Sequence, residues 1–155
     1  MKHPLSIAVL AALALAGVTT AVAASADTPA TSSTTLTFKQ TSVKNADTGH
    51  KGPSIGDMQV IRGSVFKTDG KTRVGSYEGT CSMIAPDGST TCTFIIGRPE
   101  GQLVISAAYG KGYNEGSTAH EAIVGGTGAY SNARGEVLDH ETGRKTATAT
   151  IELAN

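Results

Sequence analysis

Lys145-Thr146-Ala147-Thr148-Ala149-Thr150-Ile151-Glu152-Leu153 alternates with a period of two. Ala147, Ala149, Ile151 and Leu153 fall on one face, and Thr146, Thr148, Thr150 and Glu152 on the other. Side chains alternate across a strand in this way, so the segment reads as a β-strand with one buried face. Seven more runs of apolar or β-branched residues precede it: Leu36 to Thr41, Met58 to Lys67, Thr72 to Ile84, Thr90 to Ile96, Gln102 to Ala108, His120 to Val124 and Ala133 to His140. Asp69-Gly70 and Asp87-Gly88 mark tight turns between them, while Asn45 to Gly56 and Gly110 to Gly116 are longer loops. No segment with helical periodicity competes.

Eight mostly antiparallel strands in one modest domain leave two architectures, a closed barrel or a two-sheet sandwich. A sandwich core wants a large aromatic plug; this chain has no Trp and only three Phe, which favours a barrel filled by medium aliphatics. Thirteen basic residues balance thirteen acidic ones, so no electrostatic footprint for nucleic acid or an anionic membrane is present.

Residues 1–26 read as a signal peptide: Lys2 and His3 lead an apolar run from Leu5 to Val18, and Ala24-Ser25-Ala26 supplies the small-x-small cleavage pattern, with Ala23 as an alternative site. The run is shorter than the roughly 20 apolar residues a spanning helix needs. The expectation is a secreted or periplasmic protein with no membrane contact after cleavage near Ala26. Residues 27–34, rich in Thr, Ser, Ala and Pro, read as a flexible leader, and residues 35–155 as the β-domain.

Export makes Cys81 and Cys92, the only cysteines, a disulfide pair more readily than a metal site. If Ala85-Pro86-Asp87-Gly88 forms a four-residue hairpin loop, Ile84 faces Ser89 and Cys81 falls opposite Cys92; a three-residue loop with a bulge would shift that register by one.

Two stretches resemble a known family. Ala122-Ile123-Val124-Gly125-Gly126-Thr127-Gly128-Ala129-Tyr130-Ser131-Asn132-Ala133-Arg134-Gly135 resembles the GGTG-x-aromatic-x-x-ARG signature of plant dirigent proteins and the matching stretch of allene oxide cyclases. Gly56-Asp57, Asp69-Gly70, Arg73-Val74-Gly75 and Gly79-Thr80-Cys81 are similar, in order, to the GD, turn, RVG and G-x-C series of allene oxide cyclases. The resemblance implies an eight-stranded, mostly antiparallel, calycin-like barrel. Its members bind hydrophobic small molecules in the lumen and, in several branches, control cyclisation or coupling stereochemistry without a cofactor. It also implies a homodimer or homotrimer.

Residue by residue, the allene oxide cyclase chemistry carries over incompletely. That family's first-strand carboxylate has no counterpart in Leu36-Thr37-Phe38-Lys39-Gln40, and its second-strand Asn aligns with Gly63. Its luminal Cys matches Cys81, and Tyr109 is a counterpart of the Tyr after the fifth strand. Allene oxide cyclase activity itself is therefore not expected. The match at Gly63 turns Ile61 and Val65 inward, and the match at Cys81 turns Tyr77 inward. Tyr77 and Tyr109 are the candidate catalytic residues, with core packing as the alternative. Ile61, Gly63 and Val65 line the expected substrate site, Gly63 and Gly75 keep it open, and Tyr113 and Glu115 cover its mouth.

The glycine motif reads as a tight corner, since Ser131 stands where a nucleotide loop of the G-x-G-x-x-G type needs Gly. Arg134 is expected to pair with a carboxylate at the barrel end. Gly52-Pro53-Ser54-Ile55-Gly56 matches G-x-S-x-G but lacks the strand before and helix after that a nucleophile elbow requires. His50, His120 and His140 lack ligand spacing, and Asp139-His140-Glu141, next to a Gly-containing turn, reads as solvated rather than metal-binding, so no metal is expected. Three functions remain: a cofactor-free cyclase or isomerase, an inert small-molecule carrier, and a filled structural barrel. A lumen of roughly 300 Å³ with two converging polar groups separates the first two from the third.

Overall fold

The computed structural model describes residues 31–154, and the expected signal peptide and residues 27–30 of the expected leader lie outside them. All elements among the described residues are strands: β1 (Thr31–Ala46), β2 (Met58–Lys67), β3 (Arg73–Met83), β4 (Thr90–Arg98), β5 (Gly101–Tyr109), β6 (Thr118–Gly128), β7 (Arg134–Gly143) and β8 (Thr146–Ala154). Each pairs antiparallel with the next, and β1 closes on β8, giving an eight-stranded up-and-down barrel. The barrel, not the sandwich, is the architecture. β1 starts earlier than its composition suggests: Thr31 to Thr34, read as leader, pair with Ala154 to Ile151. Backbone pairing with the last strand, rather than side-chain burial, orders this polar stretch.

The hairpin register is the expected one. Ile84 N–H donates to Ser89 O at 2.9 Å, Gly88 N–H to Ala85 O at 3.1 Å, and Cys81 lies opposite Cys92, to which it is disulfide-bonded. The closed loop of about a dozen residues stabilises by roughly 3 kcal/mol on chain-entropy grounds. Reduction under native conditions is therefore expected to lower the melting temperature by roughly 10 °C in a scan against the oxidised protein; an unchanged transition would mean the bridge constrains nothing.

The strand ends sort the loops into two groups. The loops after β1, β3, β5 and β7 lie at one end, and the turns after β2, β4 and β6 lie at the other. The second end is packed shut by Leu36, Val65, Leu103, Ile123 and Ile151, each at most 4% exposed. The GGTG corner belongs to this end. A Cβ on Gly126 would sit 2.4 Å from Gln102 O, Gly128 has φ +59°, and the β5–β6 register shifts so that Val124 bulges outward. Close backbone approach and a left-handed turn are what glycine permits here. Tyr130 O–H donates to Glu100 Oε1 at 2.9 Å, and Arg98 Nε lies 2.9 Å from that same oxygen as an ion contact without hydrogen-bond alignment. Arg134 does not form the expected ion pair: its Nη1 donates to Ala133 O at 2.7 Å, and Arg98 supplies the charge instead.

Candidate functional site

The period of two that buries Val65 and Ile151 continues toward the open end, where the inward residues no longer meet. They enclose a chamber of about 130 Å³. Its floor is apolar: Ile96, Ile105, Val137 and Ala149. Phe38 and Tyr77 form an edge-to-face pair on one wall, ring centres 5.3 Å apart. The chamber opens into an outer cleft of about 620 Å³, with Gln40, Ile61, Tyr109 and Glu141 bordering both. The inner space alone is below the roughly 300 Å³ typical of ligand pockets; with the cleft it is above.

The sequence-predicted residues divide. Ile61, Tyr77 and Tyr109 line the chamber, and Val65 is buried beneath it at 0% exposed. Gly63 faces inward but leaves no opening, because the Tyr77 ring occupies the place a Cβ would take. Gly75 likewise opens nothing: its Cβ position meets Gly97 O at 2.3 Å. Tyr113 lines the outer cleft: its ring stacks on Tyr109 at 4.4 Å and its O–H donates to Asp139 Oδ2 at 2.6 Å. Glu115 does not join it. It stays exposed in the β5–β6 loop, away from both cavities. Cys81 forms part of the cleft wall, and the cystine packs against Ala107, Phe94 and Tyr109. Ser54 of the G-x-S-x-G match is held in its loop by Thr48 and Asp57, apart from the chamber.

Three carboxylates were missed. Glu121 on β6 and Asp139 and Glu141 on β7 line the chamber, so the expectation that Asp139-His140-Glu141 is solvated holds for His140 alone, which faces outward. The first strand lacks an acid, as expected, but the lumen does not. Glu121 is 7% exposed and accepts a hydrogen bond from the Tyr109 O–H. Burial drives its carboxyl up to about 7, Asp139 and Glu141 push the same way, and the Tyr109 bond only partly offsets them. Glu141 is also raised to about 7, by burial and then by Asp139, and burial raises Asp139. Burial and the facing Glu141 and Asp139 push Tyr77 up to about 12, so its phenol stays a donor at neutral pH. Tyr109 and Tyr113 are raised too, by burial and by the acids they bind. Chemically, one wall offers proton acceptors that titrate near neutrality and the other a neutral phenol, across an apolar gap. Among the described residues no group of His, Cys, Asp and Glu is arranged to hold a metal ion.

The family model of the allene oxide cyclase barrel like domain matches residues 35–153. Among solved structures, pyocyanin demethylase superposes with a TM-score of 0.68 and 25% identity, over 79% of this chain and 100% of that one. A pterocarpan synthase dirigent protein gives 0.65 and 16%, over 80% and 84%. A Diels–Alderase from Streptomyces koyangensis gives 0.61 and 11%, over 84% and 70%. The last two likenesses establish a shared fold. No curated protein matches the sequence.

Proposed function

Because the chain belongs to the allene oxide cyclase barrel-like family, we propose that it binds a hydrophobic small molecule in its lumen and isomerises or cyclises it by proton transfer. The observation that carries this reading is Glu121: a carboxyl titrating near neutrality, buried in an apolar chamber and oriented by Tyr109. Such a group can take a proton from the substrate and return it at another atom, with nothing oxidised or reduced overall. Tyr77, on the opposite wall, would donate to an oxygen on which charge develops. The apolar floor would hold the reacting part of the substrate in place against Glu121, removing part of the entropic barrier. Tyr109 is a positioning residue in this scheme, since its O–H is already engaged.

The similarity to a demethylase, a dirigent protein and a Diels–Alderase supports a luminal site for organic small molecules. The disulfide and the polar outer surface, with Lys39, Glu78, Thr80, His120 and Glu136 pointing outward, support a water-facing protein in an oxidising, extracytoplasmic compartment. The inner chamber's small volume favours a second reading, a carrier that holds its ligand without converting it.

Native mass spectrometry of protein from its source is expected to show a retained small molecule. Ala147→Phe, which places a ring in the chamber beside Phe38 and Glu141, is expected to lose that ligand while melting within a few degrees of wild type. Retention of the ligand by this variant would move the site out of the lumen. A ligand that leaves unchanged after incubation would favour the carrier.

A further inference from the structure

The two cavities and the hydrogen-bonding sense of their walls restrict what can bind. A protein cavity of roughly 150 Å³ accepts a benzene ring, so the inner chamber at about 130 Å³ seats one ring-sized head and nothing larger. The rest of a ligand must extend into the outer cleft, past Tyr109 and along Tyr113 and Cys81. The O–H groups of Tyr109 and Tyr113 are already committed to Glu121 and Asp139. Glu121 Oε2 accepts no hydrogen bond from any described residue, although the side chain is 7% exposed and borders the chamber. The Glu141 carboxylate also lacks a donor among the described residues.

No cation answers these charges from within. The ion pairs among the described residues are Arg62–Glu78, Arg98–Glu100 and His120–Glu136, none of them luminal. Arg144 and Lys145 stand at the lip, exposed and unpaired, where solvent screens them. A carboxylate partly withdrawn from bulk water and without a counter-charge is costly, and a ligand that supplies one recovers the cost. The faces and edges of Phe38, Tyr77 and Phe94 add a wall that suits a cationic or aromatic head.

Resting on the binding reading above, we infer that the ligand is an elongated aromatic molecule with a protonated nitrogen on its head. The head enters the inner chamber against Glu121 and Glu141, and the flat body lies in the cleft.

The test is calorimetry at pH 8 with three probes of one shape: 4-phenylbenzylamine, 4-phenylbenzyl alcohol and 4-phenylbenzoate. The amine is expected to bind about tenfold or more tightly than the alcohol, and the carboxylate to bind weakest. Benzylamine, which lacks the second ring, is expected to bind at least about tenfold more weakly than 4-phenylbenzylamine. Glu121→Gln is expected to close the gap between amine and alcohol, and Glu141→Gln to narrow it, so that misfolding of one variant leaves the other to decide. Alcohol or carboxylate binding as tightly as amine would overturn the cationic head while leaving luminal binding intact. If none of the three binds, both readings fall.

Discussion

Turnover by the Glu121→Gln protein is expected to fall by about 10²- to 10⁴-fold, the usual contribution of a positioned acid or base. The substitution keeps the volume and the hydrogen bond with Tyr109 while removing the titrating proton. It therefore separates chemistry from packing. The wild-type rate should follow a group near pH 7, and the variant should lose that limb of its profile. Stability supplies an independent readout. The folded-state value of Glu121 lies above its usual 4.5, so between pH 4.5 and 7 the native protein holds a proton that the unfolded chain has released. Stability is then greatest below about pH 4.5 and is lost as pH rises through about 7, by an amount of about 3 kcal/mol. Asp139 and Glu141 from β7, Tyr109 from β5, Tyr113 from the following loop and Tyr77 from β3 share the lumen or its mouth with this carboxyl, and Glu141 titrates in the same window. Glu121→Gln should thus be more stable than wild type at pH 8 and should flatten the pH dependence in part. Denaturant titrations at pH 5 and pH 8 measure both. Equal slopes for the two proteins would remove Glu121 from the role assigned to it.

Gly135→Ala is expected to destabilise the barrel by about 3 kcal/mol or more, a fall of roughly 10 °C in melting temperature. Gly135 has φ +144°, and a Cβ there would lie 1.9 Å from Glu152 O on β8. Both the backbone conformation and the neighbouring strand exclude a side chain, and the clash is with main chain that cannot rotate away. Gly110→Ala is the control: nothing lies within 4 Å of its Cβ position, and its φ is not positive. A Gly135→Ala protein melting beside the control would show that β7 and β8 can separate at this point without loss. The final Gly of the ARG signature has a physical reason in this contact.

The fold was legible because its signals are local. Alternation in Thr146 to Leu153, the Asp-Gly turns and the Ala85 to Gly88 loop each determine a geometry within a few residues, and all eight strands and the Cys81–Cys92 register follow. The inward placing of Ile61, Val65 and Tyr77 needed the family matches at Gly63 and Cys81 to set which face of that period is inside, and Tyr109 came from the resemblance alone; all four line or floor the lumen. The acids were harder to find. Ala122, Ile123 and Val124 are consecutive apolar residues, so alternation alone leaves the inner face of β6 ambiguous. The bulge at Val124 decides it, placing Ile123 and hence Glu121 inside. Val137 could have revealed Asp139 and Glu141, which share its parity, but charge and the adjacent Gly-containing turn pointed to solvent. Burying carboxylates opposes the rule that patterning relies on, and such residues evade it wherever function requires them. Glu115 shows the reverse error: a loop position close in sequence to the mouth that the chain directs into solvent.

Closure of β1 on β8 has a consequence for how this molecule can be handled or elaborated. Thr31 sits opposite Ala154, so the described ends of the polypeptide emerge side by side at the pole remote from Arg144 and Lys145. A tether, tag or appended module attached there hangs behind the cup and leaves its rim unobstructed. Joining those two ends and cutting in a rim loop would instead place new termini beside the entrance.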